Sequence, residues 1–159
     1  MPHDKSKTSY SNRPLPESQP KKKEPPHYLL RAQELQAYTI NTCRDINSNP
    51  DRGGKGLSFY LLVPMGNLAQ EITAHCAAAD DNYPTCRQDW IDRRRDLYAA
   101  RRAAKELSSM LTVALQVKSF NVSEHVVEEW AKKINRVIAL LNKTIKSHEE
   151  NKQLLEVDY

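Results

Sequence analysis

Between Arg87 and Lys118 the chain runs without a glycine or a proline, and its apolar residues keep helical spacing. Trp90, Leu97, Ala104, Leu107, Leu111 and Leu115 recur at steps of three, four and seven, which places them along one side of a single long α-helix. Such a stripe must be covered by other elements, so the remainder of the chain has to supply partners for it. The charges of this segment are sorted. At about 100° per residue, Arg87, Arg94, Arg101 and Lys105 fall in one narrow band beside the stripe, and Asp89, Asp92 and Asp96 fall on its other flank. A solvated helix usually intermixes signs to gain pairs one turn apart. A sorted one presents a positive ridge, and the expected partner is anionic.

Three further segments have the pattern needed to cover the stripe. The first helix is expected from Tyr28 to Asn47, with Tyr28, Ala32, Leu35, Thr39, Cys43 and Ile46 on one face. Asn49-Pro50 and the pair Gly53-Gly54 end it. Gly53-Gly54-Lys55-Gly56 lacks the spacing of a phosphate-binding loop and follows no strand, so it reads as a turn. The second segment is ambiguous. Leu57 to Val63 has strand-like composition, yet Leu57, Leu61, Leu68, Ile72 and Cys76 hold a helical stripe across Pro64. A helix kinked near Leu61 to Pro64 is the favoured reading, and a short strand before a helix is the alternative. The third helix, from Arg87, should end near Lys118. The fourth starts at Ser123 as N-cap, with Val122 and Val127 spaced as a hydrophobic staple. Trp130, Ile134, Val137, Ile138, Leu141 and Ile145 carry its buried stripe to about His148. The expected fold is all-α: an antiparallel up-down four-helix bundle over residues 27–148.

The flanks differ from this core. Residues 1–26 hold six of the nine prolines and six Lys or Arg against three acids, a composition expected to stay disordered, with Lys21-Lys22-Lys23 as a solvated basic run. Residues 149–159 carry four acids and one Lys and read as a fraying acidic tail, in which Leu154, Leu155 and Val157 are available to a partner. The formal net charge of +4 is too modest to argue for nucleic acid by itself. Its location is more informative: Arg87 to Lys105 contains seven bases and three acids, and this +4 equals the whole excess of residues 27–148. Three cysteines without a CxxC pair, and no apolar leader, fit a reducing cytoplasm.

The nucleic-acid candidates are Arg87, Arg94, Arg95, Arg101, Arg102 and Lys105, because guanidinium groups grip phosphates in pairs and a seven-residue step keeps them on one face. Tyr98, at the edge of the ridge, is the candidate for stacking on a base, ahead of Tyr60, Trp90 and Trp130, which at helical spacing fit a core. Lys132, Arg136 and Lys143, with Lys146, form a weaker basic face on the fourth helix, where plain solvation is the simpler reading. The competing reading of the ridge is that Arg94 and Arg101 pair with acids on a neighbouring helix or subunit. No catalytic, cofactor or metal constellation emerges. His75 and Cys76 are adjacent and diverge on a helix, the two Glu-x-x-His steps that a di-iron bundle needs are not present, and no nucleophile elbow occurs. His75, His125 and His148 read as surface or boundary residues.

The run GLSFYLLVPMGNLAQEITA, followed by DRRRDLYAARRAAKELSSMLTVALQVKSFNVSEHVVEEWAKKINRVIALLNKTIKS, resembles a bacterial four-helix-bundle family. That family contains the ribosomal RNA intervening-sequence proteins and the accessory variability determinants of diversity-generating retroelements. The likeness rests on Val63-Pro64 with Asn67 and Ala69, the basic third helix, the short turn after it, and Leu141 with Ile145-Lys146-Ser147. It implies a helical protomer that forms a homo-oligomeric ring, typically a pentamer. For the retroelement branch it implies binding to a reverse transcriptase and to template RNA or cDNA during mutagenic reverse transcription, with no catalytic residues of its own. Two other readings stay open. One is an RNA-associated assembly module of the intervening-sequence type, and the other is a helical adaptor whose ridge meets an acidic protein.

Overall fold

The computed structural model describes residues 25–151, and its regular structure there is entirely helical. Four α-helices follow one another: α1 (His27–Ser48), α2 (Val63–Asp81), α3 (Arg87–Ala114) and α4 (Glu124–Glu150). The expected disordered arm up to Glu24 and the acidic tail from Lys152 lie outside the described residues; Glu149 and Glu150, expected to fray, continue α4. No helix among the described residues is long and apolar enough to cross a membrane.

Helix α1 starts directly after Pro26, which leads in with extended geometry and whose carbonyl accepts from the N–H groups of Leu29 and Leu30. It stops at the residue preceding Pro50, where Asn49 is extended because a proline ring crowds the helical conformation of its predecessor. A tight turn over Pro50–Arg52 follows, held by the Asn49 side chain accepting from the Asp51 N–H at 3.0 Å. Gly53 has φ 142°, and a Cβ there would lie 2.3 Å from Leu57 Cδ1, so the position demands glycine. A second tight turn (Gly54–Leu57) and a wide π-helical turn (Ser58–Leu62) then run straight into α2. There is no strand here. Pro64 has no N–H to donate and its ring crowds the carbonyl four residues back, and the chain absorbs both by widening the preceding turn. The Val63 N–H reaches back five residues to Ser58 O. The price of this route is exposure: Phe59, Tyr60 and Val63 face solvent, the two rings edge to face at 5.1 Å.

Helix α3 ends at Ala114, one turn earlier than the apolar pattern indicates. Leu115, assigned to the stripe, is instead exposed, and Phe120 from the connecting segment closes that end of the core. The same segment is tied to the turn after α1: Asn121 donates its backbone N–H to Arg52 O and its side-chain amide to Asp51 O, both at 3.1 Å. Ser123 caps α4 by accepting from the Val126 N–H, and Val122 and Val127 pack against the core beside it.

One core is shared by all four helices, with contacts of α1 to α2 and α4, and of α3 to α2 and α4. Trp130 sits at its centre, fully buried, with its indole N–H donating to Thr39 Oγ1 at 3.0 Å and the Tyr38 ring edge-on. Helices α2 and α3 pack on each other, and Ala69 of the one and Ala100, Ala103 and Ala104 of the other are small side chains buried in the shared core. Burial pushes the Cys76 thiol up to about 12 and the Cys43 thiol up to about 11, so both stay protonated at neutral pH.

Candidate nucleic-acid interface

The rotation of α3 is fixed by its apolar stripe, and that rotation carries the basic band to the shoulder facing α4 and the acidic band to the shoulder facing α2. On the acidic side, Asp96 is buried and accepts from His75 of α2 at 3.1 Å. Asp89 turns back to the start of its own helix, where the Thr85 hydroxyl at 2.6 Å and the Thr85 N–H hold its carboxyl below the usual range.

On the basic side, Tyr98 is the organising residue. The guanidinium carbons of Arg94 and Arg101, one turn before and one turn after it, lie 4.5 and 4.6 Å from its ring centre. Arg94 Nε donates to Glu149 Oε1 at 2.6 Å, and the Tyr98 hydroxyl donates to the same oxygen at 3.1 Å. That hydrogen bond raises the Arg94 pKa further above its ordinary value. Arg101 reaches across to α4 as well, donating to Asn142 Oδ1 at 3.1 Å. The stacking face expected for a base is thus lined by two of the protein's own guanidinium groups.

Arg95 and Arg102 point outward, 71% and 83% exposed, with acids of their own helix as partners: Asp92 at 3.3 Å and Glu106 at 3.2 Å. Arg87 and Lys105 are exposed and make no ion pair among the described residues. Tyr98, Arg101, Arg102 and Lys105 border a shallow hollow of about 830 Å³ that extends to Leu68 of α2 and Met110. Arg101, Arg102 and Lys105 thus share one surface with Tyr98, with Glu106 also at its border, and Arg94 adjoins it through the Tyr98 ring.

The three α4 candidates do not join it. Lys132 pairs with Glu129 at 3.4 Å and, with Arg136, borders a small hollow on the α1 side together with Arg31 and Glu34. Lys143 borders a third hollow beside Arg93 and Tyr28. The nominated residues thus divide among three places.

Sequence reasoning missed two groups that shape the ridge. Glu149 falls in the expected acidic tail and Asn142 is not among the candidates, yet they stand seven residues apart and so share a face of α4. The second group is His148, expected at the surface or boundary and found buried. Its Nε2 faces Trp90 O at 2.9 Å, its ring stacks on the Trp90 indole at 4.7 Å, and the indole N–H returns a bond to His148 O at 3.1 Å. This reciprocal pair fixes the last turn of α4 against the first turn of α3, and so positions Glu149 over Arg94. Arg93, between the two bands, is spent on the Ala79 carbonyl at the end of α2. No family model, curated protein or solved structure matches this chain.

Proposed function

We propose that the four helices form an antiparallel up-down bundle that assembles into a homo-oligomeric ring, and that the protein is a cytoplasmic, non-enzymatic accessory factor of a diversity-generating retroelement. In this reading it binds the element's reverse transcriptase and holds template RNA or nascent cDNA along the α3 ridge. The observation that carries the nucleic-acid part is the surface shared by Tyr98, Arg101, Arg102 and Lys105, adjoined by Arg94 on the Tyr98 ring and flanked by the outward Arg95 and by Arg87, which makes no ion pair among the described residues. Such a surface suits sequence-independent phosphate contacts, which position a polyanion without reading bases. The retroelement part rests on the family resemblance alone, which also supplies the pentameric state.

Single-stranded RNA binding measured as a function of salt tests the ridge. Arg95→Glu with Arg102→Glu keeps the inter-helix contacts of α3 and should flatten the log–log salt dependence by about one unit per lost phosphate contact. Unchanged retention at physiological salt in that variant overturns the assignment. Co-purification with a reverse transcriptase encoded beside this protein's gene tests the retroelement role.

One observation favours a second reading, the helical adaptor. The anion seated on Arg94 is a carboxylate, which an acidic protein segment would also supply. Complexes that survive nuclease treatment and fall apart in high salt would favour it.

A further inference from the structure

Two donors from α3, Arg94 Nε and the Tyr98 hydroxyl, converge on a single oxygen of Glu149. Both guanidinium groups packed on the Tyr98 ring hold that hydroxyl in place, and Arg101 is itself braced by Asn142. A cation donor and a hydroxyl donor meeting at one oxyanion is the arrangement that receives a non-bridging phosphate oxygen. Glu149 supplies that oxyanion from within the chain.

We propose that Arg94 and Tyr98 form a phosphodiester-binding subsite that Glu149 occupies in the free protein, so that the last turn of α4 is a displaceable carboxylate latch on the ridge. The proposal rests on the ridge being the polyanion-binding surface. A phosphate of the nucleic acid and the Glu149 carboxylate require the same two donors, so they exclude each other. Apparent affinity is then reduced by the fraction of molecules in which Glu149 is seated. The pair is partly exposed, with side-chain exposures of 45% for Arg94 and 28% for Glu149, so the latch is weak enough to be displaced. Its neighbour Glu150 is exposed and has no ion-pair partner among the described residues, which makes it a charge-matched control.

The test is fluorescence anisotropy of a labelled oligouridylate with the full chain and with Glu149→Gln, Glu150→Gln, Tyr98→Phe and the double variant Tyr98→Phe/Glu149→Gln. Glu149→Gln should tighten binding about two- to fivefold, the factor to which an exposed ion pair converts. Glu150→Gln, which removes the same charge one residue away, should leave it within experimental error. Adding Tyr98→Phe to Glu149→Gln should return part of the gain, because the hydroxyl donor is lost while the ring stays. Equal tightening by Glu149→Gln and Glu150→Gln overturns the latch and leaves a bulk charge effect, with the ridge still the binding surface. Binding by the wild type with no change in Glu149→Gln also overturns it. No binding by any variant overturns the ridge reading itself, and the latch with it.

Discussion

His148 shows how a single side chain departs from its sequence pattern. Eleven residues after Val137 it still falls on the α4 stripe, and the helix simply continues to bury whatever stands there. A polar residue at such a position needs partners, and Trp90 provides a carbonyl, an indole N–H and a flat surface. Burial lowers the His148 pKa, opposed by the bond to the Trp90 carbonyl and reinforced by Arg93. A base whose folded pKa is depressed favours the unfolded chain once protons become available, because the unfolded state takes them up first. Its contribution is therefore complete above about pH 6.5 and declines as the pH falls below that value. Urea midpoints taken from pH 7.5 down to 5 should fall for the wild type more steeply than for His148→Gln. Parallel curves would mean that His148 does not carry the pH dependence. Trp130 was legible as core from its spacing, but its bond to Thr39 was not, because nothing in either helix pattern says which threonine will face which indole.

At the scale of elements, periodicity located all four helices, and the misses lie where the backbone leaves α geometry. Pro64 marked a disturbance correctly. Whether the chain would break, kink or widen depends on how much room the neighbouring helices leave, which no local pattern contains. The early end of α3 has a similar origin: Leu115 keeps the spacing, but Phe120 and the bonds from Asn121 to residues 51 and 52 hold the connection in another course. The glycines of the preceding turn are not equivalent. Gly53→Ala meets Leu57 and a left-handed backbone, and should destabilise by about 1–3 kcal/mol. Gly56 has open space around a would-be Cβ and no positive φ, so Gly56→Ala should be neutral or stabilising by up to about 1 kcal/mol. Denaturant midpoints of the two variants decide this, and equal losses would show that the turn is not held by Gly53.

For the whole molecule, the sorting of charge on α3 was readable from sequence because the rotation of a helix is set by its own apolar stripe. What faces each flank was not readable, since it depends on the neighbours: the acidic flank meets His75, and the basic flank meets Asn142 and Glu149. The proposed ring belongs to this scale too. Light scattering behind a sizing column should give a mass near five protomers, with excess absorbance at 260 nm that disappears in high salt. A clean monomer would leave the helices standing and remove the ring, together with most of the case for a retroelement partner.

The contact between Trp90 and His148 has an optical consequence. The chain has two tryptophans, and Trp130 is sealed in the core, where its surroundings should stay constant. Trp90 lies flat against the residue that immediately precedes Glu149. Any movement of the last turn of α4 changes the environment of one indole and leaves the other as an internal reference. The protein therefore carries its own fluorophore at the hinge of the proposed latch, and its emission can follow ligand entry without an attached dye.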